Sequence, residues 1–296
     1  MTTAAATVAP VESRAVDVDG IPMSALFQEA HDPRGVIVAL HGGAASPVYF
    51  DAPGHPRLSL LRTAAALGYT AIALDRPGYG RSAGHAAGMA PVARRVELAY
   101  AAVDRLLDGR SRGAGLFVVG HSMGCALAVH MAAAERGREL LGLEIAGTGR
   151  QMQPRAAEII GSRHNGGDSA LSAGPSLRDI LWRPARLYPA DLDPGLLASP
   201  APSYEKASSV RWGRELPDVA ARVRVPVRYS LGDHERCWNA GPPALAEVAA
   251  LFTASPRVRV HEQADAGHNL SVGLSALAYH LTVVSFAEEC ALERNR

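Results

Sequence analysis

Cysteine is scarce in this chain. Cys125, Cys237 and Cys290 are the three among 296 residues. They are widely scattered and make no CxxC pair, which excludes a disulfide framework and fits a reducing compartment. An excess of one charge is also missing: 30 Lys and Arg stand against 29 Asp and Glu, a formal net charge of +1. That removes the electrostatic case for nucleic acid or an anionic membrane as a partner. No apolar run approaches the roughly 20 residues that span a bilayer. The start, Met1-Thr2-Thr3-Ala4-Ala5-Ala6, lacks the basic region that opens a signal peptide. The expectation is a cytoplasmic protein without membrane or nucleic-acid partners.

Apolar residues, at 48%, are plentiful, with 20% charged, so the chain can bury a sizeable core and disorder is not expected. The length suits one large α/β domain with an inserted subdomain, or two small domains. After a loose tail (1–14), alternation around Val16, Val18, Ile21 and Met23 predicts a hairpin turning at Asp19-Gly20. Buried strands are expected at Val36–Leu40, Thr70–Leu74, Phe117–Val119, Leu140–Ile145, Val223–Leu231 and Val258–Val260. Helices are expected between them, around 58–67, 92–107 and 243–253, with a last one over 272–292. This alternation means parallel βαβ units.

The rhythm breaks between about 149 and 214, in Pro-rich and Gly-rich pieces (161–168, 199–202) with a short helical stretch at 177–187. Only 5% of the chain is aromatic, yet Trp182, Tyr188, Tyr204 and Trp212 gather here, beside Leu187. Either this excursion has its own small core, or it is a lid lining an apolar pocket, or both.

The densest chemistry lies at Gly120-His121-Ser122-Met123-Gly124, between an apolar strand and an Ala-rich helix. That is the Gly-x-Ser-x-Gly spacing of a nucleophile elbow, in which small flanking residues let strand and helix approach and the serine is held in a strained turn. A serine hydroxyl needs a base to attack at neutral pH. His268, in Ala266-Gly267-His268-Asn269 after the last strand, sits where a doubly wound sheet brings it to the elbow's side. The base needs a carboxylate to fix its tautomer. Glu235 and Asp233 both follow the strand ending at Gly232; Glu235 is the favoured acid and Asp233 a turn-shaping alternative. His41-Gly42-Gly43 ends another strand, and the amides of Gly43 and Met123 would form a two-donor oxyanion hole.

Taken together, His41-Gly42-Gly43, the Asp75–Ser82 loop (Asp-Arg-Pro-Gly-Tyr-Gly-Arg-Ser), the Ser122 elbow, the Gly232–Glu235 turn and Gly267-His268 resemble the α/β-hydrolase-fold serine hydrolases, over residues 15–292. The resemblance implies an eight-stranded, mostly parallel sheet, a helical cap inserted after the sixth strand, and no cofactor. The core would be 15–148 and 215–296, the cap 149–214. The family's acid is usually Asp; Glu235 stands at the matching position here. Tyr49-Phe50-Asp51 and Trp238 are similar to hydrolases of bacterial secondary-metabolite pathways.

The expected chemistry is acyl transfer through acyl-Ser122, from a small-molecule ester, thioester or amide, with an apolar or aromatic acyl group suggested by the cap aromatics. Water is the expected acceptor, and an internal amine or hydroxyl, giving cyclisation, is the alternative. A lyase or isomerase using Ser-His proton transfer, and a non-catalytic binding module, are the readings from other classes. Two further motifs fail their context. Gly78-x-Gly80-x-x-Ala83 follows a strand but Pro77 sits in the approach and no helix opens behind it, against dinucleotide binding. His234 and Cys237 lack a second ligand pair, against a metal site.

Overall fold

Alternation along the central strands sorts the core into two faces. On β3 (Gly35–Leu40), Val36, Val38 and Leu40 pack with Ile72, Leu74 and Val118 on one side. Ile37 and Ala39 pack with Ala71, Ala73, Phe117 and Val119 on the other. Side chains of period two, all apolar, require cover on both faces, and helices supply it. The computed structural model describes residues 10–164 and 176–294. Most of the expected tail, and residues 165–168 of the expected loop, lie outside the described residues.

The other strands are β1 (Glu12–Val18), β2 (Ile21–Gln28), β4 (Tyr69–Leu74), β5 (Leu116–His121), β6 (Gly142–Ala146), β7 (Val227–Gly232) and β8 (Val258–Gln263). They form one eight-stranded sheet in the order β1-β2-β4-β3-β5-β6-β7-β8. The β1–β2 and β2–β4 pairs are antiparallel and the rest parallel. Asp19 and Gly20, at φ 53° and 80°, close the opening hairpin with the left-handed pair such turns need. Helices α1 (Leu60–Ala66) and α8 (Ala276–Arg294) cover one face; α2 (Val92–Leu106), α3 (Gly124–Ala133) and α7 (Pro242–Ala249) cover the other. The chain steps from β3 to β4, then crosses back past β3 to β5. That reversal opens a crevice at the carboxyl ends of β3 and β5, where the His41-Gly42-Gly43 and Ser122 turns emerge.

The stretch expected as a cap, between β6 and β7 and called the cap below, holds α4 (Pro154–His164), α5 (Leu177–Leu181) and α6 (Ser203–Ala220), with 3-10 turns at Ala185–Leu187 and Pro194–Leu197. Several expected boundaries shift. The 177–187 stretch splits at Pro184, which cannot continue a helix. The cap's expected end at 214 falls inside α6, an 18-residue helix whose sparse apolar spacing hides it in the sequence. The 223–231 strand begins at Val227; Val223 and Val225 are buried without being strand, behind Pro226. Gly80–Met89, expected in part as an irregular loop, winds into 3-10 turns. The last helix starts at Ala276, because Gly273 is extended after a 3-10 turn. Among the described residues no helix is long and apolar enough to cross a membrane.

Candidate active site

The elbow explains its own glycines. Ser122 sits at φ 52°, a left-handed conformation that costs a serine on the order of 1–3 kcal/mol and persists only where neighbours enforce it. A Cβ on Gly120 would stand 2.8 Å from the Cα of Cys125, and one on Gly124 only 2.1 Å from the Leu40 carbonyl oxygen. Both positions therefore exclude any side chain. The Ser122 amide donates to the Ala146 carbonyl (2.8 Å) and its carbonyl accepts from Cys125 N (3.0 Å), pinning the turn between β6 and α3.

His268 lies between serine and acid. Its Nε2 is 3.0 Å from Ser122 Oγ, and its Nδ1 is 3.0 and 3.1 Å from the two carboxylate oxygens of Glu235. A carboxylate only accepts, so Nδ1 donates to Glu235 and Nε2 is left to accept the serine proton. His268 and Glu235 are both buried. Burial opposes the charge on Glu235. His268 and the amides of Cys237 and Trp238 outweigh it, and the carboxyl is held below its usual range.

Asp233 takes the other role. Its oxygens accept from the amides of Asp265 and Ala266, both at 3.0 Å, and so shape the loop that presents His268. Gly267 in that loop leaves room for the Tyr188 hydroxyl, 2.5 Å from where its Cβ would be.

The oxyanion candidates abut the elbow. A Cβ on Gly42 would lie 3.2 Å from Ser122 Cβ, and one on Gly43 3.4 Å from Met123 Cγ. The Gly43 and Met123 amides have no hydrogen-bond partner among the described residues. The flanking histidines are fixed and neutral. His41 Nδ1 contacts the Gly42 carbonyl (2.9 Å), so it carries the proton, and Nε2 accepts from Arg76 N (3.2 Å). His121 Nε2 donates to the His268 carbonyl (2.9 Å) while Tyr49 stacks on its ring at 4.3 Å. Burial pushes His121 down to about 3 and His41 well below its ordinary value. Neither competes as the base.

Other expected residues resolve as packing. Cys125 is buried and its thiol donates to the Gly120 and Ala146 carbonyls. Trp238 packs under Gly149, where a Cβ would come within 2.9 Å of its own. The cap aromatics are occupied in holding the cap down. Trp212 Nε1 donates to Thr148 Oγ1 (2.8 Å) and Tyr204 to the Pro77 carbonyl (2.6 Å), while Tyr188 donates to the Leu181 carbonyl within the cap (3.2 Å). They give the cap its small core and do not by themselves carry a preference for an apolar substrate. Among the described residues no group of three or more His, Cys, Asp or Glu could hold a metal.

The sequence reading missed Arg76 and Glu205. They form a buried ion pair at 2.8 Å between the loop after β4 and the first turn of α6, 129 positions apart. No local pattern announces a contact of that separation.

The model of the alpha/beta hydrolase family matches residues 37–278, and the chain belongs to that family. The fold recurs in solved structures of low identity. A bacterial membrane phospholipase A described as a virulence factor aligns with a TM-score of 0.66 at 19% identity, covering 95% of this chain and 86% of its own. The thioesterase domain of the curacin biosynthetic pathway gives 0.57 at 18%, covering 93% and 99%. A thermostable carboxyl esterase from Bacillus coagulans gives 0.64 at 16%, covering 95% and 98%. At such identities the likeness speaks for the fold. No curated protein matches the sequence.

Proposed function

We propose that the protein is a serine hydrolase that cleaves a carboxylic ester, thioester or amide of a small molecule through an acyl-Ser122 intermediate. The observation that carries this reading is the continuous hydrogen-bonded line from Glu235 through His268 to the Oγ of a serine held at positive φ. As Oγ attacks the substrate carbonyl carbon, His268 Nε2 takes its proton, and Glu235 stabilises the imidazolium. The carbonyl oxygen becomes an oxyanion facing the Gly43 and Met123 amides. Donors of this kind are worth roughly 2.7–4 kcal/mol each in comparable sites. His268 then protonates the leaving alcohol, thiol or amine as its bond to the acyl carbon breaks. Water then attacks the acyl carbon as the same nitrogen takes its proton, and that proton passes to Ser122 Oγ as the acyl–Oγ bond breaks and the acid leaves.

Treatment with a fluorophosphonate, read by intact-mass spectrometry, tests the nucleophile. The expected result is one adduct, absent in Ser122→Ala and much slower in His268→Ala. An adduct that persists in Ser122→Ala overturns the reading.

A further inference from the structure

Two arginine–carboxylate pairs are buried among the described residues: Arg228–Glu144 between neighbouring strands and Arg76–Glu205 at the join between core and cap. The guanidinium of Arg76 donates to both oxygens of Glu205, at 2.8 and 3.1 Å; the two side chains are only 4% and 7% exposed. Burial opposes the charge on Arg76, but Glu205 keeps it protonated. A buried pair is a weak source of stability, since apolar residues of like volume often serve as well. Its placement therefore calls for another reason.

The same guanidinium donates to the Gly42 carbonyl (2.9 Å) and to the Tyr79 hydroxyl (3.1 Å), and that hydroxyl accepts from the Ala44 amide (3.2 Å). The peptide groups on either side of Gly43 are thus both fixed from Arg76, and the Gly43 N–H, which shares its peptide plane with the held Gly42 carbonyl, is left without a partner among the described residues. The cap holds the next residues as well. Ser199 N donates to the Ala44 carbonyl (3.0 Å), Ser46 N to the Leu197 carbonyl (2.9 Å), and Ala45 bridges Ala198. Glu205 Oε1 lies 3.2 Å from where a Gly43 Cβ would be, so the carboxylate borders the loop directly.

We propose that Arg76 and Glu205 are positioning residues for the oxyanion hole. The cap supplies Glu205, which orients Arg76. Arg76 fixes the Gly42 carbonyl, and the Gly43 N–H consequently faces the oxygen of a carbonyl under attack by Ser122. Seating the cap and completing the hole are then one event. This inference rests on the reading of Ser122 as nucleophile.

The test uses p-nitrophenyl butyrate as probe and the full chain carrying Arg76→Met together with Glu205→Met, which removes both charges at similar volume. The expected result is a kcat at least about tenfold lower, with KM within about twofold of wild type and an unchanged melting temperature. A pair that merely anchors the cap would leave kcat untouched at the same melting temperature, and that result overturns the proposal. So does a change confined to KM. Should the double variant unfold, Arg76→Lys is measured instead; it keeps the charge opposite Glu205 but has no second nitrogen for Glu205 to hold, so the donor that reaches Gly42 and Tyr79 is no longer oriented. A lowered kcat there supports the proposal, and wild-type kcat overturns it. Failure of the underlying reading is separate: Ser122→Ala would then hydrolyse the ester as fast as wild type.

Discussion

The core loops and the cap are built by opposite means. At the carboxyl ends of β3 and β5 the backbone itself dictates the sequence. Gly124 faces the Leu40 carbonyl and Gly120 the backbone of Cys125, each too close for a Cβ. The cap rests on side-chain bonds, Trp212 to Thr148, Tyr204 to Pro77, Asn269 to Leu181 and Arg76 to Glu205, beside a few backbone bonds such as Ser199 to Ala44 and Ser46 to Leu197. A turn enforced by backbone contact tolerates one residue type. A tether of side chains can be drawn from many. On the proposed reading the chemistry belongs to the first region, and the second braces it.

That contrast predicts unequal losses. The largest belongs to the base: His268→Ala should lower the hydrolysis rate of p-nitrophenyl butyrate by on the order of 10⁴-fold or more, with the fold intact by circular dichroism. Next comes the elbow glycine. Gly124→Ala drives a methyl into the Leu40 carbonyl, and urea unfolding should show a loss of about 3 kcal/mol or more, or no folded protein at all. A stability near wild type would mean that the turn yields and the contrast with the cap is false.

Acid sensitivity gives a middle-sized effect within the core. Burial pushes His280 down to about 3, and neither ring nitrogen finds a partner among the described residues. In the unfolded chain such a ring takes a proton below its ordinary value of 6.5. The folded protein refuses that proton until far lower pH, so the stability this neutral ring allows is present above 6.5 and is lost as pH falls toward 3. His280→Leu should therefore melt at a higher temperature than wild type at pH 5, by a margin that shrinks at pH 8 (both estimates follow from linkage, about one proton per molecule). Equal margins at both pH values would contradict the assignment. The smallest effect lies in the cap. Trp212→Phe removes the bond to Thr148 but keeps the ring against α3, and should cost about 1 kcal/mol of stability with little change in turnover.

The same contrast explains what the sequence made legible. That Ser122, His268, Glu235, Asp233 and Gly43 come together at one place could be expected locally because glycines and short motifs mark turns whose geometry admits few residues. The central strands could be read because β3 to β7 are buried along their whole length. Helix α6 escaped because its buried positions, Tyr204, Glu205, Trp212, Leu216, Val219 and Ala220, include a charge and leave a wide gap before Trp212. The Arg76–Glu205 pair escaped because its meaning exists only once the cap is folded onto the loop.

The central claim is that acyl transfer passes through Ser122. Rapid quenching of the protein during turnover of p-nitrophenyl butyrate, followed by peptide mass spectrometry, tests it most directly. A butyryl group on the peptide containing Ser122, accumulating before steady state and absent from Ser122→Ala, is the predicted result. Turnover that continues undiminished in Ser122→Ala, with no acylated peptide at any quench time, would contradict it.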